Sequence, residues 1–188
     1  MEDLALIDKV LKGDEISFEQ LFLKYQLEIS KFVYSNIKDN EVTKDIVQEV
    51  FITVYDKLYT FKRDCKFKTW LYTIARNKCI DYIRKNKITL VDIEDTQNTL
   101  ASKEISAFEI VEFNETKRTI NDFIKTLDTV NREIIYLKYY HDDITFYDIS
   151  YILKISEGAV KQRYYSLYKR YINFLKKASE KRGENLEV

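Results

Sequence analysis

Apolar residues recur at three- and four-residue intervals from the start of the chain: Leu4, Ile7 and Leu11, then Phe18, Leu21, Phe22 and Tyr25, then Ile29, Phe32 and Val33. That spacing lays one apolar stripe along a helix. Gly13-Asp14 breaks the first helix from the second, and Asp14 or Ser17 is placed to cap the second. The pattern predicts a third helix from about residue 42 to 59 and a fourth from about 67 to 85. Between them, Tyr59 to Lys66 form a short polar connection with no stripe. Four helices over residues 1–87 predict a first small domain.

Residues 88–112 break the pattern. They are acidic, rich in Thr and Ser, and their apolar residues are scattered. Structureless loops of this length are rare inside compact domains, so the segment predicts a flexible linker. Helical spacing resumes at about residue 115, with Ile120, Phe123, Ile124 and Leu127, then Ile134, Ile135 and Leu137. Thr145 with Asp148 three residues on predicts a capping box opening a short helix that carries Ile149, Ile152 and Leu153. Lys154-Ile155 turn the chain, and Ser156 with Glu157 in the first turn opens a last helix. That helix has its stripe at Val160, Tyr164, Leu167, Tyr171, Phe174 and Leu175. Two helices joined by a tight turn, the second basic on its outer face, form a helix-turn-helix pattern over a second domain, residues 113–188. The fold class expected is all-α: two small helical domains joined by a linker.

Composition supports this and removes alternatives. The 188 residues include no proline and three glycines, which disfavours turn-rich β folds. Apolar residues at 45% supply a core and exclude disorder along the whole length. Two cysteines, Cys65 and Cys79, make no disulfide framework, and with the single His141 they make no familiar zinc site. No metal and no cofactor is expected. No P-loop and no catalytic constellation is present, so an enzyme is the least favoured class. No run of 18 apolar residues occurs, and the acidic N-terminus lacks the basic region of a secretory signal, so a cytoplasmic location is expected.

The formal net charge of zero hides a strong alternation. Residues 1–56 are acidic on balance, 57–87 hold 10 basic and 2 acidic side chains, 88–122 are acidic again, and 154–182 hold 9 basic and 2 acidic. Phosphate binding needs local positive charge, not a positive total. In 57–87 the cations interleave with Phe61, Phe67, Trp70 and Tyr72, the mixture that tracks a single-strand backbone while offering rings to unstacked bases. Trp70, at helical spacing beside Leu71, also suits a core position.

Two stretches carry a resemblance. Residues 45–51, DIVQEVF, with 67–77, FKTWLYTIARN, and 81–85, DYIRK, resemble region two of bacterial extracytoplasmic-function (ECF) sigma factors. Residues 148–150, DIS, with 155–163, ISEGAVKQR, resemble region four of the same family. The resemblance covers both domains. It implies a promoter-specificity subunit of RNA polymerase that binds core enzyme, recognises two promoter elements and opens the DNA at the downstream one. It also implies an anti-sigma partner, which in the family is commonly membrane-tethered, and a monomer when free.

The family pattern assigns roles residue by residue. Asp45, Gln48 and Glu49 share a helix face, with Asp56 two turns on, and in the family this face docks on the clamp of the polymerase's largest subunit. For the downstream element the resemblance implies Phe61, Lys62, Arg63, Lys66, Lys68, Arg76, Asn77 and Arg84, with the 61–67 loop capturing a flipped base and Asn77 reading one. For the upstream element it implies Ser156, Glu157, Lys161, Gln162 and Tyr165 as readers and Arg163 as a phosphate contact. Where the family often carries an Arg-Ala-Arg-like run, this chain has Ser166, Leu167 and Tyr168, with Lys169 and Arg170 nearby. Two other classes stay open on the residues: a two-domain helix-turn-helix regulator that never engages polymerase, and a helical adaptor without a DNA role. The acidic face of 45–49 speaks against the first, the basic 57–87 segment against the second.

Overall fold

The computed structural model describes residues 2–87, 120, 122–141 and 143–182. Every regular element among them is helical. The expected linker over 88–112 lies outside the described residues. The chain divides into two compact units, one from residues 1–97 with 143–154, the other from 98–142 with 155–188.

In the first unit, α1 spans Glu2–Val10, α2 Glu15–Ile37, α3 Asn40–Lys57 and α4 Phe67–Lys87. Gly13 adopts φ +94°, a left-handed turn that releases the chain from α1. Asp14 then caps α2, its carboxylate accepting from the Ile16 and Ser17 amides, while Ser17 donates its hydroxyl to the same side chain. Both sequence candidates take part, with Asp14 as the cap. Lys38, at φ +64°, closes α2 by donating its amide to the Tyr34 carbonyl. Asp39 immediately caps α3 through the Val42 amide. The predicted third helix thus starts two residues early and ends in a 3-10 turn, Leu58–Thr60.

α2 packs against α1, α3 and α4, and α3 against α4. The stripe residues Ile29, Phe32 and Val33 of α2 are fully buried, as are Val50 and Val54 of α3 and Leu71, Tyr72 and Ala75 of α4. Edge-to-face rings tie the helices together: Phe32 to Tyr72 at 5.1 Å, Phe22 to Phe51 at 4.8 Å and Tyr25 to Phe67 at 5.7 Å between centroids. At the surface, Asp3 of α1 accepts from the Tyr25 hydroxyl at 2.7 Å and pairs with Lys24 at 2.6 Å.

The same unit includes α6, Phe146–Leu153, which packs against α4. The sequence reading groups this helix with the C-terminal segment 113–188; in the structure its apolar side chains Ile149, Ile152 and Leu153 are buried and it packs against α4. The predicted capping box is present: the Asp148 amide donates to Thr145 Oγ1 at 3.1 Å, and Asp148 Oδ2 accepts from the Thr145 amide at 2.9 Å. The remaining oxygen, Oδ1, accepts from Thr69 Oγ1 of α4 at 2.8 Å.

In the second unit, α5 spans Thr129–Tyr140 and α7 Glu157–Arg182. Asp128 caps α5 through the Asn131 amide at 2.8 Å. α5 and α7 pack together, and Phe123, Leu127 and Leu167 form a buried cluster flanked by Ile135, Tyr171 and Phe174. Lys154, at φ +56°, ends α6, and the Ser156 hydroxyl accepts from the Ala159 amide at the start of α7, as the sequence predicts.

Two stability outcomes follow. Phe32→Ala removes a fully buried ring and is expected to cost about 3–5 kcal/mol in urea unfolding. The Asp148 carboxyl titrates below its ordinary value: burial pushes it up, but hydrogen bonds from the Thr145 side chain and amide and from Thr69, with Lys66 nearby, pull it lower. A depressed carboxyl stabilises the fold above its unfolded pKa and stops doing so as the pH falls through the folded one. The stability difference between wild type and Asp148→Asn is therefore expected to be full at neutral pH and to shrink below about pH 4, read from urea midpoints across that range.

Candidate polymerase and nucleic-acid interfaces

α3 points Ile46, Val47, Val50, Phe51 and Val54 inward, which leaves Asp45, Gln48, Glu49 and Asp56 exposed, as their spacing predicts. Glu49 pairs with Lys78 of α4 at 3.0 Å. Beside these polar groups runs a shallow groove lined by Phe18, Phe22, Gln48, Phe51, Ile52, Tyr55 and Asp56. Ile52 and Tyr55 are both about half exposed. The sequence reading did not include them. The signal was there: Gln48, Ile52 and Tyr55 repeat at four and three residues, so apolar side chains continue the polar face instead of the buried stripe.

A second hollow lies between α3 and α4. Thr53, Asp56, Lys57 and Thr60 line one side, and Trp70, Ile74, Asn77, Lys78, Ile80 and Asp81 the other. It brings Asn77 and Trp70 together with cations and amide or hydroxyl groups. Trp70 is half-buried, its ring 5.3 Å from Phe61 and 6.0 Å from Phe67. It is thus neither a pure core residue nor a free platform.

The loop before α4 departs from the picture of open rings on a cationic track. Phe61, Phe67 and Tyr72 are buried, at 7%, 3% and 0% exposure. They close the end of the helical core, so no base can stack on their faces in this arrangement. The cations are engaged by carboxylates of the chain itself. Arg63, held at φ +62°, pairs with Asp8 of α1. Lys66 donates to the Asp143 carbonyl and approaches Asp148 at 3.4 Å. Lys68, only 9% exposed, sits between Glu28 at 3.1 Å and Asp143 at 3.0 Å. Arg84 pairs with Asp81 one turn back at 2.9 Å. Lys62 is exposed, and Arg76 is half-buried.

The start of α7 presents the other candidate residues. Lys161, Gln162, Arg163 and Tyr165 are exposed, and Val160 and Leu167 are buried, in line with the predicted stripe. Glu157 and Lys161 pair with each other at 2.7 Å. Arg163 donates to Asn131 Oδ1 at 3.3 Å, beside the Asp128 cap of α5. Tyr168, at a departure from the family pattern, is also exposed.

Comparison with known proteins bears on the family of the whole chain. The model of Sigma-70 region 2 matches residues 21–88, from within α2 to the end of α4. A family of proteins of unknown function, DUF722, matches residues 72–173. The ECF RNA polymerase sigma factor SigW of Bacillus subtilis is 33% identical over 165 residues, covering 84% of this chain and 88% of that one. SigM of the same organism is 28% identical over 167 residues, covering 84% and 99%, and the ECF sigma-E factor of Escherichia coli K12 is 29% identical over 173 residues, covering 87% and 88%. Among solved structures, CnrH in complex with the cytosolic domain of CnrY superposes with a TM-score of 0.66 at 21% identity, covering 94% of this chain and 98% of that one. RpoE of Bartonella quintana in complex with the anti-sigma factor NepR gives the same TM-score and identity, covering 85% and 96%. Relatives along nearly the whole chain are polymerase sigma factors, which removes the reading as a regulator that never engages polymerase. The chain belongs to the ECF family of RNA polymerase sigma factors, the promoter-specificity subunits that bind core enzyme for transcription initiation.

Proposed function

We propose that this sigma factor works through three surfaces of its own chain. The α3 face with Asp45, Gln48, Glu49 and Asp56 docks on the clamp of the largest polymerase subunit, and Ile52 and Tyr55 add apolar contact at the neighbouring groove. The carboxylates steer a basic partner surface and fix orientation; the apolar groove supplies burial. The loop 61–67 and α4 bind the melted downstream element. Lys62, Arg63, Lys66, Lys68, Arg76 and Arg84 meet phosphates, while Trp70 and Asn77 in the α3–α4 hollow take an unstacked base. Phe61 acts from inside, backing Trp70. The first turns of α7 read the upstream element in the major groove: Ser156, Glu157, Lys161, Gln162 and Tyr165 face bases and Arg163 a phosphate.

Melting without a nucleotide motor requires that single strand be bound better than duplex. Unstacking costs a few kcal/mol per step, and a hollow that holds a flipped base against Trp70 and Asn77 offsets it. The factor acts in the cytoplasm, without catalysis of its own, and is a monomer between cycles. It takes an anti-sigma partner, a reading supported by its fold likeness to CnrH and RpoE, whose solved complexes contain CnrY and NepR. Sigma regions two and four correspond to residues 1–87 and 113–188. The observation that carries the proposal is the outward row Asp45, Gln48, Glu49, Asp56 bordering an apolar groove, an arrangement a helix face left to solvent does not need.

Asp45→Arg combined with Glu49→Arg tests the docking face. Core binding is expected to weaken at least about tenfold while the helical circular dichroism signal is retained. Unchanged affinity for core enzyme would remove the assignment.

At the upstream site, two kinds of loss are expected from one series of promoter variants. Gln162→Ala should cost about 1–3 kcal/mol at particular base pairs and relax preference only there. Arg163→Ala should weaken all sequences about equally and make the salt dependence shallower by about one unit. Wild-type binding by Lys161→Ala and Gln162→Ala across all variants would show that another face of α7 meets the groove.

A further inference from the structure

Two of the cations assigned above to promoter phosphates are occupied in the free chain; one short segment contacts both, and Glu28 of α2 shares Lys68 at 3.1 Å. Residues 143–153 approach the first turn of α4 with three oxygen acceptors. The Asp143 carbonyl takes Lys66, the Asp143 carboxylate takes Lys68 at 3.0 Å, and Asp148 Oδ1 takes the Thr69 hydroxyl at 2.8 Å. Nearby, the Cys65 thiol and the Tyr151 hydroxyl of α6 lie close enough to influence each other's titration. Behind them Ile144, Ile149, Ile152 and Leu153 are buried. Lys68 is left 9% exposed, which is too little for a phosphate to reach it.

We propose that residues 143–154 are an intrachain latch, occupying the cation site of residues 66–69 in the free chain so that single-stranded nucleic acid binds there only when α6 leaves. The proposal rests on the assignment of the downstream element to this end of α4. Carboxylate and carbonyl oxygens satisfy the same donors that phosphate oxygens would, so the two occupants exclude each other. The apparent affinity for nucleic acid is then reduced by the fraction of chains with the latch open. The ion pairs are part-buried, and each still has one exposed partner, Lys66 in one and Asp143 in the other, so solvent weakens them. The Thr69–Asp148 hydrogen bond is out of water, made to a charged acceptor, and shares that acceptor with the capping box, so it fixes where α6 docks.

Thr69→Val tests this without changing any charge and without touching the capping box. In the full-length chain, amide hydrogen exchange over 146–153 is expected to speed up by roughly tenfold or more. Affinity for a labelled short oligothymidylate should rise by a similar factor. The reverse experiment closes the latch covalently. Tyr151→Cys is joined to Cys65 by a short bis-methanethiosulfonate, which forms a disulfide to each thiol and releases methanesulfinate, while Cys79, buried at 1% exposure, stays unreactive. The cross-linked chain should lose oligothymidylate binding and regain it on reduction. Unchanged exchange in Thr69→Val overturns the latch. Faster exchange with unchanged affinity, or equal binding by the cross-linked and reduced chains, overturns its masking role. If no form binds the oligonucleotide, the assignment of the downstream element fails, and the exchange data alone decide whether α6 is latched.

Discussion

The carboxylate of Asp148 is the pivot of the first unit. It lies almost out of water, at 4% exposure, where a charged oxygen is tolerated only if its acceptor sites are filled. Oδ2 is filled from within α6 by the Thr145 amide and hydroxyl, and Oδ1 from α4 by the Thr69 hydroxyl. One side chain therefore both starts α6 and sets where α6 rests. The buried Ile149, Ile152 and Leu153 provide burial without direction; the hydrogen bond provides the register.

A related constraint runs along the α4 end of this unit. The segment 57–87 has a large positive excess, yet Arg63, Lys66, Lys68, Lys78 and Arg84 each have a carboxylate of the same chain within ion-pair distance. The formal net charge of zero is thus expressed locally, as neighbouring groups of opposite sign. These pairs are mostly exposed, so they exchange readily for other anions, and salt weakens them. Under the proposed roles, a promoter phosphate reaching these cations would displace a carboxylate already paired with them. Lys68 is the exception: it is 9% exposed and held by both Glu28 and Asp143.

Helices α1 to α4 were legible because their stripes are local: three- and four-residue spacing, a glycine break and an aspartate cap all act within a few residues. The capping box at Thr145 and Asp148 was legible for the same reason, and so was the outward face of Asp45, Gln48 and Glu49. The partner of α6 was not. A short apolar helix announces that it needs a neighbour, but Thr69 lies 79 positions before Asp148 and no periodicity links them. The rings of 61–72 misled in another way. An aromatic among lysines suits both a base platform and a core wedge, and only packing distinguishes them; Phe61, Phe67 and Tyr72 went inward, while Trp70 stayed at the edge. The spacing puts Ile52 and Tyr55 on the polar face, but spacing alone does not separate a docking contact from ordinary exposure; the groove beside them does.

Helix α6 rests on α4 in the free chain, and the proposed latch has it leave α4 when promoter DNA is held. The most direct measurement is the distance between spin labels placed on α6 at the exposed Tyr147→Cys and on α4 at the exposed Asp81→Cys, with Cys65→Ser to avoid a third label. Double electron–electron resonance would be recorded on the free factor and on the factor in an open complex with core polymerase and promoter DNA. The account predicts one short distance in the free factor, replaced by a longer one in the open complex. The same short distance in both states would contradict it.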